Sequence, residues 1–466
     1  MVQTEIKKFQ KAADEVVSFF KPRLRGDIRI KINTHTDPDG VAAGNILARC
    51  FLYYDVPFHI SFGGPPEPKD LKKLAKRDYD LFVFLDQGTG QLQSIENYLL
   101  EADHEVLILD HHPGETHSRP GLTSLNPHCF GLNGARDVSA SGVVYSVVRK
   151  FDERFKPLSE MALIGALGDR QETPNGFTGI NRKIVEQAVE DGILTTREGL
   201  KLDRRTTPLV DCLSHSIRPF LLGLSGDEDA ARELVEGMGL KPRAVLEELD
   251  VEKEEELRDE ILDRIEVKLN KNLKQSLWGT IYTSRVNQAV GPKNLHEYVT
   301  MLDACEKLGK IEVGFSALLG HEDARDKAIQ SLVRYQERMI ETINWLASRK
   351  ERIKATPRMR YIYVGEELDI KMMGEALSIA LESGIIENDR PLIGLVDLSE
   401  DRLKASARAP KEFAEAGGNI GKVLEEVSID LEGNGGGHDM AAAARIPRER
   451  EDEFIKKVDQ LLEEEN

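Results

Sequence analysis

Apolar and polar residues alternate through Ile28, Ile30 and Ile32, the period of two expected of a strand. The stretch from Asp27 to Thr34 runs into His35-Thr36-Asp37-Pro38-Asp39-Gly40, and a helical pattern follows at once over Val41–Tyr54. Residues 3–24 read as a helix in front of that strand. Phe58–Phe62 reads as a second strand and Asp70–Lys76 as a helix. Leu81–Leu85 is an unbroken apolar run, as expected of a strand buried on both faces, and it stops at Asp86-Gln87-Gly88. A helix over Leu92–Glu101 leads to a strand over Val106–Leu109, which stops at Asp110-His111-His112. Leu122–Leu125 leads to Asn126-Pro127, and helices are expected over Ser139–Phe151, Leu158–Leu167 and Asn181–Asp191. Strands alternating with helices predict an α/β fold with a mostly parallel sheet covered on both faces.

The texture changes near Leu194. Asp227–Met238, Val251–Leu277 and Asp323–Ser348 have helical periodicity with charged faces, and the last is long enough to connect two domains. Gly279–Thr283 and Ile311–Leu318 are the main strand candidates there. The strand pattern restarts at Arg358–Val364, followed by a helix over Gly374–Ser383 and paired strands over Leu392–Leu398 and Leu403–Ala409. A helix over Ile420–Glu426, a glycine-rich loop over Gly433–His438, a strand over Ala441–Ile446 and a helix over Glu453–Glu464 complete the chain. Three parts are expected: residues 1–193, a mostly helical insertion over 194–350, and a smaller α/β domain over 351–466.

Composition narrows the class. A 466-residue chain, 40% hydrophobic and 31% charged, suits a globular protein with a substantial core. The net charge of −18 argues against wrapping nucleic acid over the whole surface, although bound cations can carry the positive charge at a phosphodiester site. The N-terminus has no signal-peptide core and no run is long enough to span a membrane. Cys50, Cys129, Cys212 and Cys305 are scattered with no Cys-x-x-Cys pair, so reduced thiols, no structural zinc and a cytoplasmic location are expected.

The candidate chemistry lies where apolar runs end. His35, Asp37 and Asp39 follow the first strand, Asp86 another, Asp110, His111 and His112 a third, and Asp169 ends an apolar helix. In a parallel sheet such strand ends share one rim, where open α/β sheets bind their ligands. Hard divalent cations prefer carboxylate oxygens, and imidazole favours Mn²⁺ over Mg²⁺. Taken singly, Asp37 and Asp39 would pass for turn and capping residues, and Asp169 for a helix cap. The repetition of the pattern favours a shared metal site.

HTDPDG, LDQG, LDHHPG and GALGD, in that order, resemble the four motifs of the DHH phosphoesterases, and Asn126-Pro127 resembles the RecJ-type nucleases. Ser406-x-Arg408 and Gly435-Gly436-Gly437-His438 resemble the DHH-associated domain. The layout is most similar to the archaeal RecJ-like group, whose members include a GINS-associated nuclease. The resemblance implies a parallel-sheet DHH domain, a helical insertion and a DHH-associated domain, with the active site in the cleft between the two conserved parts. It implies an exonuclease on single-stranded DNA, with RNA as a second candidate substrate. Action is expected 5′→3′, in replication or repair, with Mn²⁺ or Mg²⁺ as two ions and the GINS complex as partner. Carried over residue by residue, Asp37, Asp39, Asp86, His111 and Asp169 are the catalytic metal ligands. His35 joins the ligand set, Asp110 orients His111, and His112 stands beside the metals. Asp86 is the candidate bridge between ions, and the nucleophile is a water. Ser406, Arg408, Gly435, Gly436, Gly437 and His438 would hold the substrate phosphate. Bacterial relatives often carry an acid where His35 stands and a histidine where Gln87 stands, which bears on metal preference. Two other readings stay open: a phosphoesterase for short oligoribonucleotides or cyclic dinucleotides, and an inactive replisome scaffold.

Overall fold

A computed structural model describes residues 2–24, 28–114, 117, 119–265, 277–286 and 292–464. The chain divides into two compact units: Met1–Gly199 with Gly279–Leu332, and Leu200–Trp278 with Val333–Asn466.

The first unit is built on five parallel strands: β1 (Ile30–Thr34), β2 (Phe58–Phe62), β3 (Leu81–Leu85), β4 (Glu105–Leu109) and β5 (Leu122–Leu125). Their spatial order is β2-β1-β3-β4-β5. The chain therefore reverses direction across the sheet between β1 and β3, opening a switch-point crevice beyond their carboxyl ends. β3 is buried along its whole length, as its unbroken apolar run predicts. The register aligns Thr34 with Leu85, Leu85 with Leu109 and Leu109 with Leu125. The next residue on each strand is thus His35, Asp86, Asp110 and Asn126, four polar groups delivered to one rim by the pairing.

Helices Pro38–Tyr53, Ala140–Val148 and Ser159–Gly168 pack together beside the sheet. Val41, Ala42, Ala43, Ile46 and Leu47 on the first, and Met161, Ala162, Leu163 and Ile164 on the last, are all buried. Helix Ser159–Gly168 is apolar on every side because it is enclosed on every side.

The N-terminal helix (Val2–Arg23) lies against β5 and helix Ala140–Val148, burying Phe9, Ala13, Val16 and Phe20. β6 (Leu194–Leu200) was not expected, because its residues show no clean alternation; it pairs with β7 (Trp278–Ser284), which matches the expected strand. Ile311–Leu318 is a helix, not a strand. Its β-branched and aromatic residues suggested extension. The buried positions Gly314, Phe315, Ala317 and Leu318 instead form one helical face. That face docks on helix Pro38–Tyr53, where Asn45 donates to the Phe315 carbonyl at 3.1 Å and Arg49 to the Leu318 carbonyl at 2.5 Å. Tertiary docking overrides local propensity here.

In the second unit, residues 200–277 hold a small core of their own, including Leu209, Leu213, Leu234, Leu257 and Ile261. Arg205 is fully buried there and is matched by Glu254 at 2.7 Å and Glu247 at 2.8 Å. The expected helix over Val251–Leu277 is observed as Val251–Arg264; residues 266–276 lie outside the described residues. Helix Glu322–Ser348 matches the expected long helix.

The remaining sheet is mixed: β8 (Lys354–Ala355), β9 (Arg360–Gly365), β10 (Leu392–Asp397), β11 (Arg402–Arg408), β12 (Asn434–Gly437) and β13 (Ala441–Pro447), in the order β12-β13-β11-β10-β9-β8. Only β9 and β10 are parallel within it. Leu424 and Val427 of helix Ile420–Asp430, with Phe454 and Val458 of helix Glu451–Glu464, cover one face. Helix Met373–Glu382 packs on β10 and β11. The glycine-rich stretch expected as a loop is the edge strand β12, paired with β13 from Asn434–Arg445 to Gly437–Ala442. Glycine makes that pairing possible: a methyl at Gly437 would lie 2.3 Å from the Ala441 carbonyl oxygen.

Candidate metal centre

Pro38 opens its helix at the first position, and Asp37 caps it by accepting from the Gly40 amide at 2.9 Å. The capping reading of Asp37 is therefore correct, and the residue also does more. Its other oxygen lies 2.8 Å from Nδ1 of His35, which is 3.8 Å from Asp86. Asp39, the second residue of the helix, is fully buried. Its carboxylate accepts from the amides of Ala140 and Ser141 at 2.7 and 2.9 Å, at the N-terminus of a neighbouring helix that favours negative charge. Ser139 caps that same helix through Gly142.

Asp86 follows β3 with a positive φ of 56°, a left-handed conformation uncommon outside glycine but open to aspartate. Both of its oxygens are buried and neither has a hydrogen-bond partner. His111 Nδ1 donates to the Gly134 carbonyl at 2.8 Å, and a carbonyl can only accept, so the lone pair of the neutral ring is on Nε2. That atom stands 3.2 Å from Asp86, 3.3 Å from Asp169 and 4.0 Å from Asp39. With the carboxylates ionised and His111 neutral, lone pairs converge on lone pairs, an arrangement that only protons or a cation can relieve. This is a poor protein interior and a good fit for a divalent cation.

Among the described residues, three sets of three donors lie with all ligand atoms within 4.8 Å of one another: His35–Asp37–Asp86, Asp39–His111–Asp169 and Asp86–His111–His112. Asp86 belongs to two of them, as a bridging carboxylate would. Asp110 holds the centre from behind. One oxygen accepts from the amides of His111 and His112 at 2.8 and 3.2 Å and from the His112 ring at 2.9 Å; the other accepts from the Thr89 amide at 3.0 Å. It therefore orients the ring of His112 and the backbone of His111, while the His111 ring is aimed by Gly134.

Ionisation follows this crowding. Burial, then the charges of Asp37, Asp39 and Asp110, push Asp86 well above the usual carboxylate range. Burial and Asp39 do the same to Asp169, against the pull of His111. Burial would raise Asp37, but the His35 contact overrides it and holds the group down to about 2. Burial opposes protonation of His111, yet Asp169 and Asp39 raise its pKa.

Several supporting residues carried no sequence signal. Gln171 donates to the Gly134 carbonyl at 2.8 Å and to Asp169 at 3.3 Å, and Asn181 donates to Gln171 at 2.6 Å. Gly165 lets two helices close on Asp39: a methyl there would lie 2.1 Å from Asp39 Oδ1 and from Ser141 Oγ. Asn126, which the Asn126-Pro127 pair did signal, donates to the Thr89 hydroxyl at 3.1 Å and to the His112 carbonyl at 3.0 Å.

In the second unit the register sets Ser406, Ala443 and Gly436 in one row across β11, β13 and β12. Arg408, Ala441 and His438 lie two positions further along, where the His438 amide donates to the Ala441 carbonyl at 2.9 Å. Ser406 is buried and His438 exposed. Arg408 donates to Ser378 Oγ at 2.8 Å and to the Ala407 carbonyl at 2.7 Å. Gly435 and Gly437 extend β12 beside those rows.

The model of the DHH family N-terminal domain matches residues 28–168, and that of the DHHA1 domain residues 358–464. An uncharacterised protein of Methanocaldococcus jannaschii is 28% identical over 99% of this chain and 98% of its own. RecJ of Thermus thermophilus in complex with Mn²⁺ superposes with a TM-score of 0.59 at 17% identity, over 97% of this chain and 55% of that one. CDC45 of Entamoeba histolytica superposes with a TM-score of 0.68 at 11% identity, over 97% and 99%. The present chain thus spans about half the length of Thermus RecJ and nearly all of the Entamoeba protein. The chain thus carries a DHH family N-terminal domain and a DHHA1 domain and has a RecJ-like fold, consistent with a DHH-family protein.

Proposed function

We propose that this protein is a divalent-metal-dependent exonuclease that hydrolyses phosphodiester bonds of single-stranded DNA, with RNA as a second substrate. The observation that carries the reading is Asp86, whose two buried oxygens lack partners and are shared between sets of donors. Two bound Mn²⁺ or Mg²⁺ ions would polarise a phosphodiester and activate a water. His35 and Asp37 would hold one ion with Asp86, and Asp39, His111 and Asp169 the other. Asp110 and His112 fix the rim behind them. Ser406, Arg408, His438 and the backbone of Gly435–Gly437 would take the substrate phosphate, with Arg408 as the charged donor. Direction 5′→3′ and GINS as partner come from the resemblance of the motif layout alone; a place in replication or repair is also in keeping with the likeness of fold to CDC45. A complete donor set favours this reading over an inactive scaffold.

End-labelled single strands incubated with Mn²⁺ test the reading. Mononucleotide release is expected from the natural protein and not from Asp37→Ala with Asp39→Ala. Release that survives both substitutions, or a preference for dinucleotides over long strands, would overturn it.

A further inference from the structure

Asp169 closes the GALGD motif at the very edge of the matched DHH domain, which spans residues 28–168. It ends its helix, and the backbone turns sharply at Arg170, whose φ is 55°. The Asp169 amide donates to the Gly165 carbonyl at 3.0 Å and its carboxylate accepts from Gln171 at 3.3 Å, so its aim depends on the turn as well as on the helix. Three residues on, Glu172 has a side chain only 10% exposed and stands 3.2 Å from Nε2 of His296. The Tyr282 hydroxyl faces the same carboxylate, and the Tyr282 and His296 rings lie 5.8 Å apart. Thr173 and Gly176 close a tight turn just past Glu172, with amide–carbonyl distances of 3.1 and 2.9 Å.

His296 and Tyr282 both belong to residues 279–332, which neither family model matches. The same stretch touches the helix that ends in Asp169 and the turn that carries His35 and Asp37. Ser284 donates to Glu160 at 2.8 Å, at the start of the helix that ends in Asp169. Thr36, between His35 and Asp37, donates to Glu306 at 3.4 Å. Of these contacts, Glu172 is the one next in sequence to Gln171, whose side chain donates to Asp169 at 3.3 Å.

We infer that Glu172 is a positioning residue: held by His296 and Tyr282, it sets the loop that aims Asp169 at His111 and so tunes the affinity of the Asp39–His111–Asp169 set for a divalent cation. The inference rests on the metal-centre reading. It adds that part of the metal affinity comes from outside the DHH domain. Partners one shell away from metal ligands commonly change affinity by about 10–100-fold.

Calorimetric titration of Mn²⁺ into chelator-treated full-length protein gives the test. Glu172→Ala should weaken binding about tenfold or more. Glu172→Gln, which keeps an acceptor oxygen, should retain most of the affinity, and Tyr282→Phe should lie between. The discriminating measurement is Glu172→Ala made in an Asp169→Ala background. If Glu172 acts through Asp169, it should then change affinity less than about twofold. Equal weakening in both backgrounds means general damage and overturns the inference, as does unchanged affinity in Glu172→Ala. Should Glu172→Ala not fold, the same comparison is made with Tyr282→Phe. Natural protein that binds no Mn²⁺ overturns the metal-centre reading itself, an outcome distinct from either.

Discussion

His111 Nε2 lies 3.2 Å from Asp86 Oδ1, and neither oxygen of that carboxylate has a hydrogen-bond partner. Such a contact costs the apoprotein stability. Asp86→Asn should therefore stabilise the chelator-treated protein by about 1–3 kcal/mol, the range for relieving a buried unsatisfied polar group. It should also abolish Mn²⁺ binding and activity together. Urea melts in EDTA against melts in Mn²⁺ show both effects. The natural protein should gain about 2.7 kcal/mol at a hundredfold excess of metal over its Kd, and the variant nothing.

Gly165 makes room for Asp39. In Gly165→Ala the new methyl must displace Asp39 or Ser141, each 2.1 Å away. Overpacking of this kind costs about 1–3 kcal/mol. Mn²⁺ affinity should fall as well, because Asp39 loses its place on the Ala140 and Ser141 amides. Thermal melts and metal titration on the same sample separate the two losses.

Glu160 gives a pH signature away from the metal ligands. Burial raises its pKa from 4.5 to about 7, against the hydrogen bond from Ser284 and the charge of Arg49. The native chain thus keeps a proton that the unfolded chain releases. The contribution is most favourable below pH 4.5 and is lost progressively up to about pH 7. Glu160→Gln keeps an acceptor for Ser284 and removes this dependence. The variant should be more stable than the natural protein at pH 8, by on the order of 1–3 kcal/mol, with the difference shrinking towards pH 5. Paired denaturation curves at the two pH values check it; a pH-independent difference would contradict it.

Arg408 is anchored on Ser378 and on its own strand, so its guanidinium is oriented. Arg408→Ala should lower kcat/KM on single strands by about 10–100-fold. It should also reduce the salt dependence of strand binding. Metal affinity should not change. Arg408→Lys should recover charge but not the paired geometry, and so only part of the activity.

Much of the site was legible because strand period and motif order are local properties. The apolar runs ending at Thr34, Leu85 and Leu109 placed His35, Asp86 and Asp110 on strand ends, and the observed register aligns them. Ile311–Leu318 misled because side-chain shape favours a strand while docking on Asn45 and Arg49 stabilises a helix. Gly433–His438 misled because glycine usually marks a turn, whereas here it lets β12 lie close to β13.

By itself the sequence determined the parallel α/β unit, the four motifs and the list of acids and histidines, since these depend on periodicity and order along the chain. Only the tertiary structure decided which of them share a centre and what aims them. Gly134 faces His111, Gly165 faces Asp39, and Glu172 meets His296 across 124 residues. Contacts between residues so far apart in sequence arise from packing, and no local pattern encodes them.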